Sequence, residues 1–181
     1  PFSALFHSVS AFCNAGFSLF PDSLMGFKGS WDINLVFMIL IVVGGIGFSV
    51  FVEVRSNLAR RLMGRRIPKG KGISWYARIV IRTSMMLIVL GWAAIYFAEF
   101  VGYNRMMATD DAILSALFQS ITARTAGFNT LDIGGMTNVS LMVLLFLMFI
   151  GGAPGSCAGG IKVTTLRVLA AAMWSQMRGK A

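Results

Sequence analysis

The chain has 181 residues, of which 56% are hydrophobic and 13% are charged, and its mean hydropathy is +0.74. Soluble domains carry about 25% charged residues, so this composition excludes an ordinary soluble domain and indicates an integral membrane protein. The formal net charge is +9. Because the basic residues cluster beside apolar runs, the charge favours membrane orientation and contact with anionic lipid over binding of nucleic acid.

The first 17 residues predict a short amphipathic helix followed by a glycine turn. Phe2, Leu5, Phe6 and Val9 recur at helical spacing, and the tetrad "NAGF" follows at residues 14–17. Such a helix is too short to cross a bilayer. We therefore expect the chain to dip into the membrane and return to the side from which it entered.

An uncharged apolar run, "INLVFMILIVVGGIGFSVFV", occupies residues 33–52. Twenty helical residues measure about 30 Å, which is enough to cross the hydrocarbon core. We predict one ordinary continuous helix here, with Gly44 and Gly45 serving close helix packing. Residues 55–82 are rich in arginine and lysine, which predicts that they, like the basic C-terminus, face the cytoplasm. Glu53 lies beside this stretch and is expected to pair with an arginine.

Further apolar runs at residues 83–98 and 137–153 flank a second copy of the opening unit. "ALFHSVSAFCNAGF" at residues 4–17 matches "ALFQSITARTAGF" at residues 116–128 with one residue of slip. Internal repeats of this kind occur in transport proteins, which form their binding sites where the repeats meet.

The second short helix is expected to begin at Thr109, with a capping hydroxyl and with Asp110 and Asp111 in its first turn. Non-helical backbone is tolerated at membrane depth only where it is buried in protein or lines a cavity. A glycine there allows successive carbonyl groups to turn to one side, and a ring of carbonyls can replace the hydration shell of K+. The phenylalanine after each glycine is expected to pack outward. A plain loop between helices is the competing interpretation of each tetrad.

The stretch "GGAPGSCAGG" at residues 151–160, here named the glycine loop, must interrupt the third apolar run. It fails the phosphate-binding pattern, because Ile161 separates Gly160 from Lys162. Lys162 fits two interpretations, an electrostatic barrier near a cation pathway or a side chain extended to the cytoplasmic interface.

The remaining polar residues indicate structural roles. Arg124 follows the second short helix, where a cation suits the helix C-terminus, and His7 is expected to be packed or hydrogen-bonded. Two cysteines, Cys13 and Cys157, make no disulfide framework. We find neither a ligand cluster for a transition metal nor a nucleophile paired with a base, so the sequence predicts no enzyme and no bound cofactor.

Three motifs, "SAFCNAGFS", "FQSITARTAGFNT" and "FIGGAPGSCAGGIKVTT", resemble the Trk/Ktr/HKT superfamily of potassium transporters, within it the bacterial TrkH and KtrB membrane subunits. The resemblance implies an all-α membrane fold of four helix–pore-helix–helix repeats. This chain corresponds to the second repeat from its pore helix onward (1–62), a basic cytoplasmic loop (63–74) and the third repeat (75–181). It is expected to be a piece of a longer protein.

The resemblance also implies site residues, with K+ held by backbone carbonyls. Two filter segments are expected, the first at residues 14–17 and the second at residues 125–128, supported from behind by Ser18 and Asn129. A gate is expected at the glycine loop and Lys162. The filter residues are Asn14, Ala15, Gly16, Phe17, Thr125, Ala126, Gly127 and Phe128. The gate residues are Gly151, Gly152, Ala153, Pro154, Gly155, Ser156, Cys157, Ala158, Gly159, Gly160 and Lys162.

The implied function is potassium uptake across the bacterial inner membrane, with coupling to Na+ or H+ left open. A sodium-permeable or non-selective transporter of the same superfamily is the alternative. A non-transporting membrane scaffold and a nucleotide-using membrane enzyme are less favoured hypotheses. The implied partners are the lipid bilayer, a second copy of the membrane subunit and a cytoplasmic nucleotide-binding regulatory subunit of the TrkA/KtrA kind. No nucleic-acid partner is expected.

Overall fold

The computed structural model describes residues 1–63, 72–102 and 107–179. Over these ranges every regular element is a helix, and the one β-pairing is an isolated bridge, as the all-α expectation requires. The predicted cytoplasmic loop at residues 63–74 lies mostly outside the described residues. The helices are α1 (Phe2–Phe12), α2 (Trp31–Ile46), α3 (Phe48–Leu62), α4 (Trp75–Tyr96), α5 (Thr109–Thr122), α6 (Asn138–Phe149) and α7 (Val163–Met177).

Helix α4 is long and apolar enough to cross a membrane, and it continues through a π-helical turn at Phe97–Gly102. It begins after Ser74, whose hydroxyl accepts a hydrogen bond from the Ala77 N–H at 3.1 Å. The Ser74 hydroxyl donates in turn to the Glu53 carboxylate at 2.8 Å, and the Ser74 N–H binds the same carboxylate. Among the described residues no arginine pairs with Glu53, and its carboxylate ties α3 to the start of α4.

The apolar run at residues 33–52 does not form the predicted continuous helix. Helix α2 ends at Ile46, and α3 starts at Phe48 after a bend of 112°. Gly47 causes the break, because its φ of 90° and ψ of 145° lie far from the helical region. The third run is interrupted as predicted, since α6 ends at Phe149 after 12 residues, about 18 Å of helix.

The N-cap of helix α5 lies one residue earlier than predicted. Ala108 occupies the N-cap position and makes no side-chain hydrogen bond, so the Thr109 hydroxyl does not cap the helix. Asp110 and Asp111 do lie in the first turn, where their charges favour the positive end of the helix dipole.

Two apolar clusters hold the helices together. The first joins α2 and α5 and includes the fully buried Leu114 and Phe118 together with Met38 and Ile41. The second joins α4 to α6, α3 and the glycine loop. Because α1 also packs against α2, the two short helices α1 and α5 both pack against one apolar helix.

Candidate ion-conduction site

The two predicted filter segments lie side by side. A Cβ atom built on Gly16 would be 2.4 Å from the carbonyl oxygen of Ala126 and 3.0 Å from the Cα of Gly127. A Cβ on Gly127 would be 3.4 Å from the Cα of Gly16. The two backbones therefore meet at their glycines, and a side chain at Gly16 has no room between them.

The two segments also share a backbone conformation. The φ angle is 50° at Asn14 and 72° at Gly16, and it is 73° at Thr125 and 87° at Gly127. Positive φ is easily adopted by glycine and is uncommon for other residues. Its recurrence at the same two positions of each segment indicates a defined backbone form and weighs against a plain loop.

Each short helix binds the end of its own segment through a hydroxyl group. Ser10 of α1 donates to the carbonyl oxygen of Phe17 at 2.8 Å, and Thr122 of α5 donates to that of Phe128 at 2.8 Å. The Thr122 hydroxyl also accepts from the Phe128 N–H at 2.9 Å. Neither hydroxyl was expected to support its segment, although the aligned copies place Ser10 opposite Thr122.

Ser18 contacts α1 through His7. The Ser18 hydroxyl lies 3.1 Å from His7 Nε2, and the other ring nitrogen lies 2.7 Å from the Ser3 carbonyl oxygen. The His7 ring is buried and stacks on Phe20 at 4.9 Å between ring centroids. As the sequence predicts, His7 is a hydrogen-bonded core residue, and it fixes the chain where it leaves the first filter segment.

Asn129 contributes through its backbone. Its N–H donates to the Ser23 hydroxyl at 3.1 Å, and its carbonyl accepts from the Leu24 N–H at 2.9 Å. The end of the second filter segment is thereby attached to the connection that follows the first segment. Beside it, Phe128 is fully buried and packs edge-on against Phe37 at 5.1 Å between ring centroids.

Phe17, the equivalent of Phe128 in the first filter segment, is 69% exposed. The outward packing expected of the aromatic residue is therefore seen in the second segment and not, within the described residues, in the first.

Arg124 lies at the end of α5 and reaches α4. Its guanidinium donates to the Ser84 hydroxyl at 3.1 Å and to the Ser84 carbonyl oxygen at 3.4 Å. Among the described residues no carboxylate pairs with it. This geometry agrees with an anchor that ties the base of the second filter segment to α4.

The glycine loop packs against the bend between α2 and α3. The Ala153 N–H donates to the Gly45 carbonyl oxygen at 2.9 Å, and the Cys157 N–H donates to that of Gly44 at 3.4 Å. In the other direction, Phe48 donates its N–H to the Gly155 carbonyl oxygen at 3.2 Å. The "GGIG" stretch predicts close helix packing and no bend, so this contact with the glycine loop was not expected.

The loop also contacts the second filter segment. The Gly159 N–H donates to the Thr125 hydroxyl at 3.1 Å. Lys162 points back at the loop, since its Nζ donates to the Ala158 carbonyl oxygen at 2.6 Å. The lysine therefore binds the loop itself, a contact that neither interpretation of its role had included.

Several N–H groups of the glycine loop are not available to a nucleotide phosphate. The N–H groups of Ala153, Cys157 and Gly159 are bonded to other parts of the chain, and that of Ser156 donates to the Ala153 carbonyl oxygen at 3.1 Å. Because a phosphate-binding loop presents such groups to its ligand, this geometry disfavours the nucleotide-using alternative.

Known proteins are similar to this chain in both sequence and fold. The family described as "TrkH: Cation transport protein" matches residues 1–181. The chain is 38% identical over 181 residues to the Ktr system potassium uptake protein B of Bacillus subtilis, which covers 99% of this chain and 38% of that protein. It is 34% identical over 178 residues to the potassium/sodium uptake protein NtpJ of Enterococcus hirae, covering 98% and 37%.

The fold matches the crystal structure of the potassium transporter TrkH from Vibrio parahaemolyticus, with a TM-score of 0.77 and 27% identity over 100% of this chain and 37% of that one. The chain thus spans less than two fifths of the length of these relatives. Their names describe ion uptake and transport, which fits the expectation that the chain is not an enzyme. Since the family matches every residue of the sequence, the chain belongs to the TrkH family of cation transport proteins.

Proposed function

We propose that this chain supplies two of the four walls of a potassium-uptake pore, with the two filter segments as those walls. The observation that carries the proposal is the contact between Gly16 and Gly127, whose segments have matching φ angles and matching hydroxyl anchors. Two segments that have the same backbone conformation and meet at their glycines can both offer carbonyl oxygens to one ion.

The electrostatics of the short helices support a cation at this point. Helix α1 ends at Phe12 and α5 ends at Thr122, in each case directly before a filter segment. A helix C-terminus carries about half a negative elementary charge. Both helices therefore lower the energy of a cation beside the filter segments, where K+ exchanges its water for carbonyl oxygens.

The glycine loop, together with Lys162, acts as the gate in this proposal. Its hydrogen bonds to Gly45, Gly44 and Thr125 hold it beside the second filter segment. An ion that leaves the filter toward the cytoplasm meets this loop, so conduction requires the loop to move.

The family and the charge pattern support a proposed cellular setting for this pore. The protein lies in the bacterial plasma membrane, with residues 55–82 and the C-terminus in the cytoplasm. Its partners are lipid, a second copy of the membrane subunit and a nucleotide-binding regulatory subunit. One similarity favours a second candidate: the Enterococcus hirae relative is named for both potassium and sodium uptake, which supports a pore that admits both ions.

The direct test is rescue of a bacterial strain that lacks its own potassium uptake systems, using the complete protein that carries this chain. We expect growth at low external K+ and uptake that Na+ does not inhibit. Equal uptake of K+ and Na+ would support the second candidate. Correct insertion without any ion uptake would contradict both and favour the non-transporting scaffold.

The hydroxyl anchor of the second filter segment gives a finer test. We expect Thr122→Val to lower the ratio of K+ to Na+ uptake by roughly fivefold, since a lost hydrogen bond costs about 1 kcal/mol. Thr122→Ser keeps the hydroxyl and serves as the matched control. Competition uptake assays measure both variants, and an unchanged ratio in Thr122→Val would show that the anchor does not shape the filter.

A further inference from the structure

The bend between α2 and α3 exchanges hydrogen bonds with the glycine loop. In a continuous α-helix the Phe48 N–H would donate to the Gly44 carbonyl oxygen four residues earlier. Here the Phe48 N–H donates to Gly155 at 3.2 Å, and the Gly44 carbonyl accepts from Cys157 at 3.4 Å. The loop therefore occupies both partners of a bond that the helix would otherwise make within itself.

The contact between loop and bend depends on glycine at close range. Gly47 has a φ of 90°, and a Cβ there would lie 2.8 Å from the Pro154 carbonyl oxygen and 3.5 Å from the Ala153 Cβ. On the loop side, a Cβ on Gly152 would lie 2.5 Å from the Gly45 carbonyl oxygen. Backbone thus meets backbone from both directions, with glycine on each side of the contact.

We propose that the bend at Gly44–Gly47 holds the glycine loop in the closed position of the gate. The bend is therefore named the seat of the loop. Opening then breaks the three hydrogen bonds between loop and bend, and the freed Phe48 N–H and Gly44 carbonyl can bond to each other as α2 and α3 straighten. Gly47 is a positioning residue in this mechanism, because it acts on the ion path through the loop. The inference rests on the proposed gate function of the loop.

The exchange of hydrogen bonds explains how the glycine loop can leave the bend. Buried backbone groups that lose a partner without finding another are costly. The straightened helix supplies partners for the Gly44 and Gly45 carbonyl groups and for the Phe48 N–H, so departure of the loop leaves none of these groups orphaned. A single substitution at the bend can therefore shift the balance between the seated and the released loop.

The first test is Gly47→Ala in the complete protein, reconstituted in liposomes and assayed by flux of 86Rb+. Alanine disfavours a φ of 90° and has no room beside Pro154, so the loop should leave its seat. We expect flux to rise on the order of tenfold, the factor that corresponds to the strain of a left-handed residue, with the ratio of K+ to Na+ flux unchanged. Gly26→Ala is the control, because a Cβ there meets no atom within 4 Å, and its flux should stay at the wild-type level.

A second test applies even if Gly47→Ala fails to fold, because it leaves α2 and α3 unchanged. Gly152→Ala would place a Cβ 2.5 Å from the Gly45 carbonyl oxygen, so the loop should leave its seat and flux should rise as for Gly47→Ala. Gly26→Ala is again the control. Flux at the wild-type level in Gly152→Ala would overturn the seat.

Shortening the loop distinguishes the proposal that the loop is the gate from the proposal that the bend is its seat. Residues 150 and 161 are paired across its base, so a loop shortened by removal of residues 155–159 can still close on this pair. If this deletion raises flux and Gly47→Ala does not, the loop is the gate but the bend is not its seat. If neither change alters flux, the loop is not the gate and both proposals are overturned.

Discussion

Replacing Gly16 by serine is expected to abolish potassium-selective uptake, whereas Gly127→Ser should only weaken it. Both glycines have positive φ, which costs another residue about 1–2 kcal/mol. At Gly16 the new Cβ also lies 2.4 Å from the Ala126 carbonyl oxygen, while at Gly127 the nearest atom is 3.4 Å away. Overpacking of that kind adds about 1–3 kcal/mol, so the two substitutions differ although the two repeats are alike.

The measurement is the ratio of K+ to Na+ uptake by the complete protein, made at equal amounts of protein in the membrane. Gly127→Ser should reduce the ratio by about tenfold, and Gly16→Ser should reduce it further. Gly26→Ala is again the control. If both serine variants keep the wild-type ratio, the assignment of residues 14–17 and 125–128 as filter segments is wrong.

The second large effect is expected at Gly44, and it concerns stability. A Cβ on Gly44 would lie 1.9 Å from the carbonyl oxygen of Phe12, the last residue of α1. Neither backbone can move without separating α1 from α2. We expect Gly44→Ala to destabilise the protein by about 3 kcal/mol, the upper end of the usual cost of overpacking, and to displace the first filter segment as well.

Gly45→Ala provides a matched comparison for this stability test. Its Cβ would meet no atom closer than 3.7 Å, the Asn14 Nδ2, and both alanines share the gain of about 1 kcal/mol that alanine brings to a helix. Thermal unfolding of the purified protein in detergent should therefore show a lower Tm for Gly44→Ala only. Equal Tm values for the two variants would mean that α1 and α2 are not packed this closely.

The short helices, and the recurrence of one backbone form after each of them, were predictable because their signal is local and occurs twice. Apolar spacing predicted α1 and α5, and the Ala-Gly-Phe repeat directed attention to Gly16 and Gly127. The positive φ angles of Asn14 and Thr125 were not predictable, since such angles are rare outside glycine. Ser10 and Thr122 were within reach, because the alignment of the copies already paired them.

The bend at Gly47 escaped prediction for a different reason. Hydropathy averages over a window and detects no change of direction within an apolar run. The bend is stabilised by hydrogen bonds to Gly155 and Cys157, about 110 residues later in the chain, and no local pattern reports such partners. The cap of α5 differed by a single position, which is the usual uncertainty of a helix boundary.

The hydroxyl anchors carry a consequence for symmetry. Ser10 and Phe17 are separated by seven residues and Thr122 and Phe128 by six, so the two segments are related approximately, not by an exact rotation. In an assembly of identical subunits, one substitution would alter every side of the ion's surroundings at once. In the proposed pore each side is encoded separately, so the preference for an ion can change in single steps, one oxygen-bearing segment at a time, while the others keep their shape.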